Sequence, residues 1–526
     1  MGVSLYDEMK SRLRLMTGGL NPARGVAEDT SPRAIREIDE RLVQMIWHEQ
    51  LIDAGNLTAC SKKPLRVHEP GQWNSGAGPD FRLADLEIGG QRMRGDVEIH
   101  LNSGDWERHK HDRDFEYNSV ILHVFLRRDD TANHDVLHNG NTVERLELEP
   151  FVRPDLDTVR HALAAEDFAS PASRAATAPC QAALEQLDQP FLRDFFTAAA
   201  RQRMETKIAR FAAQRAGESP DQTLYQAVMT AMGHKGGKTL YFLLAKRVPI
   251  AELKDYLSDT PDEELPTAIE SILLNVANLA AAPQSTREGG SSEPCTSPPY
   301  DAETQEHLNA INRCWSALSG YYRDRMIPPT RRWFAGIRPV NFPGRRIAGV
   351  ARLLVSLDFR RGLADTLVQR AEQAMARDPR MMKEFKRETA ALISAVTVEH
   401  DSYWSRRFTL GGKPAARPAH LIGAGHAASV FFNAALPILI LCARETGRTG
   451  IEDFAWRLFM HYPALPGNTI TRHMRARLFG APDAAPKWLD FRFERANQAL
   501  FQIYYDCCGN PARATNGCMF SSRLCQ

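Results

Sequence analysis

The sequence predicts an α/β N-terminal domain, a mixed sheet with flanking helices, followed by a mostly α-helical region. Three observations predict it. Residues 33–150 alternate short strand patterns with helical ones. From about residue 189 onward, apolar residues recur at helical spacing almost throughout. Between the two, residues 165–185 are rich in Ala, Ser and Pro and read as a linker.

The chain has 526 residues, more than one domain usually holds. The expected division is an α/β domain over 31–165, a helical domain over 186–281, a flexible loop over 282–301, a second helical domain over 302–500 and a cysteine-containing tail over 501–526. Residues 1–30 are polar, with Gly and Pro, and read as frayed. Apolar residues make up 43% and charged residues 25%, a globular balance. Net charge is +2, which excludes a uniformly polycationic chain but not basic patches. We find no run of about 18 apolar residues and no apolar leader, and the nine cysteines are scattered until the tail. The expectation is a cytosolic protein with no membrane partner.

Taken in order, Ile38, Leu42, Met45 and Ile46 share one face of a helix within RAIREIDERLVQMIWHEQ, residues 33–50. LRVHE is a short strand. RLADLEI places Ala84, Leu86 and Ile88 on one side, and Gly89-Gly90 signals a hairpin turn into RMRGDVEIHL. Ser103 to Tyr117 reads as helical, with Ser103 as N-cap. SVILHVFLRR reads as a strand buried on both faces, and VERLELEPF as a further strand.

The hairpin carries the chemistry. Asp96, Glu98 and His100 occupy alternate positions, so a regular strand sets them on one face, roughly 7 Å apart along it. Asp80 precedes the partner strand and can fold back near Glu98. Two carboxylates with a backbone carbonyl suit Mg²⁺ or Mn²⁺. Such an ion can polarise a phosphoryl oxygen and generate a hydroxide nucleophile. His100 stands where a water-orienting group or base would. The competing reading is a solvated charged hairpin.

Pro79-Asp80 and Glu98-Ile99-His100, within that order of elements, resemble the PD-(D/E)XK phosphodiesterase superfamily over about residues 33–130. His100 replaces the usual lysine. The resemblance implies an αβββαβ core, metal held by Asp80 and Glu98, assistance from Glu49 on the first helix, and a polar residue such as His109 or Lys110 after the hairpin. It implies metal-dependent cleavage of DNA or RNA; the alternative is a non-catalytic nucleic-acid-binding or scaffold protein. AGPDF, GDVEIH, RPVNFPGRRIAG, YPALPGN and the C-terminal cysteines also resemble, across nearly the whole chain, a bacterial family termed domain of unknown function 2851. That resemblance supplies no activity.

Three further patterns bear on function. His109 and His111 lie two apart, which on a regular helix turns them about 200° from each other. From a regular helix they would not chelate together, whereas from an extended segment they could; they read as local hydrogen-bonding or phosphate-contacting groups. Zinc held by His100, His109 and a carboxylate is the alternative, a weak basis for a zinc hydrolase. Tyr321 to Gly349 holds seven arginines and one acid among aromatics. With 468–480 it suggests a nucleic-acid groove using Arg331, Arg332, Trp333, Arg338, Arg345, Arg346, Arg472 and Arg475, or else arginines paired with acids of neighbouring helices. Cys508, Cys518 and Cys525, with Cys507 and Cys60 nearby in pattern, suggest zinc or an iron–sulfur cluster or simply unligated thiols; no CxxC is present. GHKGGKT fails as a phosphate loop, because Met232 stands where the first glycine is needed.

Overall fold

A computed structural model describes residues 4–16, 38, 40–48, 50–53, 55–74, 78–153, 156, 179–233, 237–280, 300–327, 338–375 and 403–507. The chain divides into two compact units, residues 33–176 and residues 1–32 with 177–526.

The smaller unit is built on a mixed sheet. Its strands are β1 (Leu65–Glu69), β2 (Gln72–Trp73), β3 (Phe81–Ile88), β4 (Gln91–Asn102), β5 (Val120–Arg127), β6 (His134–Val136) and β7 (Thr142–Glu147). The order is β1-β3-β4-β5-β7-β6, with β2 also on β3. Pairs β1·β3, β3·β4 and β6·β7 are antiparallel, while β4·β5 and β5·β7 are parallel. Gly89 and Gly90 both take positive φ, +60° and +83°, as a two-residue hairpin turn requires. The strand at 120–127 is buried at six of its eight positions, as its continuous apolar run predicts. β6 carried no strong strand pattern.

Two helices of this unit pack on β4. The helix expected over 33–50 is described as Glu40–His48 (α2). The helix expected over 103–117 is one turn, Asp105–Arg108 (α3). It stops because Lys110 adopts φ +62°, a left-handed conformation that no helix can propagate. Two 3₁₀ turns, His111–Arg113 and Phe115–Tyr117, then lead into β5.

Gly95 lies in β4 against the chain that enters β5. A Cβ there would sit 2.4 Å from Ile121 Cγ2 and 2.8 Å from the Ser119 carbonyl oxygen. Gly95→Ala is expected to cost roughly 1–3 kcal/mol, because strand backbone must shift to admit the methyl. An unchanged midpoint in chemical denaturation would refute this.

The larger unit is helical, and its described core is contiguous. The helices on either side of 282–301 share that core rather than forming two domains. Leu265–Val276 packs on both Ala302–Tyr322 and Pro343–Ser356. Residues 5–16 are a helix (α1), not a frayed end. Tyr6, Met9 and Leu13 bury one face of it, and the Tyr6 ring lies 5.5 Å from Phe195 on the helix Gln189–Arg215. Pro179–Glu185, at the end of the expected linker, is also helical. Ala424–Glu445 is long and apolar enough to cross a membrane by length and composition, contrary to the sequence expectation; 78% of its apolar window is buried inside the protein. It contains a π turn at Phe431–Ala435, just before Pro437, which cannot donate to the carbonyl four residues back.

Candidate metal centre

The hairpin brings Asp80 and Glu98 together. The Asp80 backbone N–H donates to Glu98 Oε2 at 3.0 Å. Asp80 in turn accepts from the Ile99 N–H at 3.1 Å and from Gln44 Nε2 at 2.9 Å. Burial raises the Asp80 carboxyl to about 6, against the lowering effect of those two donors. Burial raises Glu98 well above the usual carboxylate range, and the charges of Asp80 and Glu40 add to it. Two desolvated carboxylates side by side call for protons or a cation.

Asp96 does not share this face. Register shifts opposite β3 and β5 interrupt the alternation between it and Val97. Its carboxylate instead accepts from the Leu83 N–H at 3.0 Å and the Ser119 hydroxyl at 2.6 Å. Leu83, exposed and at φ +58°, is the residue this bulge holds in a left-handed conformation.

Beyond Glu98 the site becomes nitrogen-rich. His100 Nε2 lies 3.0 Å from His109 Nδ1, 3.3 Å from His111 Nε2 and 3.6 Å from Glu98 Oε1. His111 Nε2 lies 3.4 Å from the same Glu98 oxygen. The left-handed Lys110 makes this possible: the break in the helix aims His109 and His111 at one point, where a regular helix would separate them. The divergence expected of a regular helix does not arise, because the helix ends at Arg108. Tyr117 covers His111, with ring centroids 3.8 Å apart.

The protons on these rings follow from their partners. His123 Nδ1 lies 2.6 Å from the Asp135 carboxylate and so carries the proton. His123 Nε2 is then an acceptor, and His100 Nδ1 donates to it at 2.9 Å. His100 Nε2 is left with a lone pair facing His109, His111 and Glu98. Burial lowers the His100 and His111 pKa values, His111 to about 4, with neighbouring imidazoles adding to the effect. His123 is lowered by burial too, with Asp135 opposing. All three are neutral near pH 7.

Sequence reading missed Gln44, Glu40, Asp135 and Arg145. Gln44 was findable as the single polar residue in LVQMIW, where the five others are fully buried. Asp135 sits on the short β6, and Arg145 on β7 ties it in, its Nε 3.3 Å from Asp135 Oδ2. Glu49, expected to complete the site from the first helix, lies outside the described residues.

The expected nucleic-acid residues belong to the larger unit. Arg331, Arg332 and Trp333 lie outside the described residues; Arg338 and Arg472 are exposed. Arg345 is a correction. It is 1% exposed, and its guanidinium donates to the carbonyls of Trp404, Val340, Ala419 and His420, so burial and four of its five N–H groups keep it from a phosphate. Arg346 donates to Asn341 Oδ1, and Arg475 to the carbonyls of Asp483 and Ala484 while stacking on Phe491. Cys508, Cys518 and Cys525 lie outside the described residues, and burial raises the thiol of Cys60.

The family model described as "Protein of unknown function (DUF2851)" matches residues 40–465. No curated protein and no solved structure matches the chain.

Proposed function

The chain belongs to the DUF2851 family, and for this member we propose metal-dependent hydrolysis of phosphodiester bonds in DNA or RNA at the Asp80–Glu98 site. The observation that carries the reading is the convergence of these two buried carboxylates, joined by the Asp80 N–H to Glu98 bond. The order of elements supports it as well. A helix, an antiparallel run of β1, β3 and β4, a second helix and a parallel β5 follow one another as the PD-(D/E)XK resemblance implies.

The residues fit a divalent cation: two carboxylates held in low dielectric gain from one, and among the described residues the backbone donor to Glu98, the Asp80 N–H, goes to Oε2. Mg²⁺ or Mn²⁺ at Asp80 and Glu98 would polarise the scissile phosphoryl group and lower the pKa of water. Gln44 and the Ile99 N–H fix the Asp80 carboxylate in orientation. Neutral His100, oriented through His123 and Asp135, presents Nε2 as the proton acceptor that lysine would not supply. His109 is exposed and gives that nitrogen a route to solvent. Exposed Lys110, Arg113 and Phe115 adjoin it in sequence, cations for phosphate and a ring for a base.

A second reading, nucleic-acid binding without cleavage, is favoured by one observation. His100 is 1% exposed and engaged at both ring nitrogens, so it offers no cation to a charged transition state. The experiment is cleavage of labelled single- and double-stranded DNA and RNA with Mg²⁺, Mn²⁺ or chelator. Chelator-sensitive cutting is expected. Binding without cutting under every condition would leave the second reading, and neither binding nor cutting would remove both.

A further inference from the structure

We propose that Glu98, His100, His109 and His111 form a binding site for one transition-metal ion of the Zn²⁺ class, oriented by His123 and Asp135. The inference concerns which ion this cluster selects; with that ion bound, His100 Nε2 is a ligand in place of the proton acceptor, and the site stands or falls independently of what the protein cleaves.

Geometry is the first ground. Ligand atoms of the three histidines all lie within 4.8 Å of one another. The four resolved separations among these nitrogens and Glu98 Oε1 run from 3.0 to 3.6 Å. A tetrahedral ion with bonds of about 2.0–2.1 Å sets its ligands roughly 3.3 Å apart. Four of the six separations in this set are therefore those of donors around one small ion: the three histidines close as a group, and Glu98 Oε1 stands beside His100 and His111.

Proton placement is the second. The Asp135–His123–His100 chain leaves a lone pair on His100 Nε2, directed at the other donors. A carboxylate acting through hydrogen bonds on the far nitrogen is how ligating histidines are held in the right tautomer. Here an extra imidazole extends that arrangement by one link, and Arg145 Nε anchors its carboxylate end at 3.3 Å.

Donor chemistry is the third. Three imidazoles and one carboxylate suit Zn²⁺, Co²⁺ or Mn²⁺ better than Mg²⁺, which takes oxygen ligands and retains its waters. Glu98, His100 and His111 are buried, while His109 is exposed, so an ion could enter past His109.

The test uses the full chain stripped of metal with a chelator and titrated with Co²⁺, then with Zn²⁺ in competition. One equivalent of Co²⁺ is expected to give the visible absorption of a tetrahedral nitrogen–oxygen site, without thiolate charge-transfer bands. Zn²⁺ should displace it, and excess Mg²⁺ should not. His109→Ala, at an exposed position that spares the core, should weaken binding at least tenfold and change the spectrum. Asp135→Asn should weaken it about 10–100-fold, because an amide N–H facing His123 Nδ1 reverses both tautomers and puts a proton on His100 Nε2. Circular dichroism of each variant confirms that the fold is retained. No stoichiometric binding would overturn the proposal. So would an unchanged affinity and spectrum in His109→Ala, or displacement by Mg²⁺. Nuclease activity is not part of this readout, so a failed cleavage assay leaves the site proposal intact, and a failed titration leaves the cleavage reading with an oxygen-only ion at Asp80 and Glu98.

Discussion

Glu98→Gln is expected to abolish divalent-dependent cleavage, by about a thousandfold, and to raise the stability of the metal-free protein. The rate follows from losing the charge that holds the cation, which is worth several kcal/mol in the transition state. The gain in stability follows from burial. Glu98 is 6% exposed beside Asp80, and both carboxyls titrate above their ordinary range. A folded-state pKa raised above the unfolded value means the folded protein holds more protons in the interval between them. That contribution is fully present below the unfolded carboxyl range and is lost as pH rises through about 6 for Asp80, and as pH rises well above the usual carboxylate range for Glu98. His111 acts in the opposite sense. Its pKa is lowered to about 4, so its contribution is present above the ordinary histidine value and is lost as pH falls toward 4. Comparing wild type with Glu98→Gln largely removes the histidine contribution. The variant's advantage in melting temperature should be small in the ordinary carboxylate range and grow as pH rises above it, to about a few degrees. A melting-temperature difference that does not change with pH would refute the burial argument, whatever the cleavage assay shows.

Arg145→Ala is expected to be the most destabilising single change in the sheet unit, by about 3–5 kcal/mol. The side chain is 0% exposed. Its two terminal nitrogens fork onto the Asp130 carboxylate at 2.9 and 2.8 Å, and one also donates to the Ala132 carbonyl at 2.8 Å. Its Nε faces Asp135, and its plane lies over Phe125. Truncation leaves the buried Asp135 carboxylate with His123 as its described partner and removes the link between β7 and the loop before β6. Arg145→Lys should recover little, because one ammonium cannot supply the fork. Calorimetry showing Arg145→Lys close to wild type would mean that packing, rather than the fork, sets the stability here.

Much of the architecture was legible because it rests on local periodicity. The alternation of Ala84, Leu86 and Ile88, the Gly89-Gly90 turn and the apolar run of 120–126 each report a neighbour one or two residues away. Asp80 and Glu98 were legible as a pair for the same reason, since a two-residue turn sets the hairpin and with it which ends meet. Asp96 was misplaced because a bulge changes the face of every residue on one side of it, and no period records a bulge. Arg345 was misplaced because charge in a sequence carries no burial; a guanidinium can as well end four backbone carbonyls as meet a phosphate.

By itself, the sequence determined that an α/β unit with a carboxylate-bearing hairpin precedes a helical region, because hydrophobic spacing is enough to decide which residues face a core. Only the tertiary structure decided that His100, His109 and His111 meet, with Glu98 beside His100 and His111, and that His123 and Asp135 stand behind them. That convergence depends on a single left-handed residue, Lys110, and on parallel pairing of β4 with β5 across an intervening helix. Neither is encoded in the spacing of the histidines: Trp106 before Lys110 and His111 and Tyr117 after it pack on one another, and that contact forms only once the chain has turned between them.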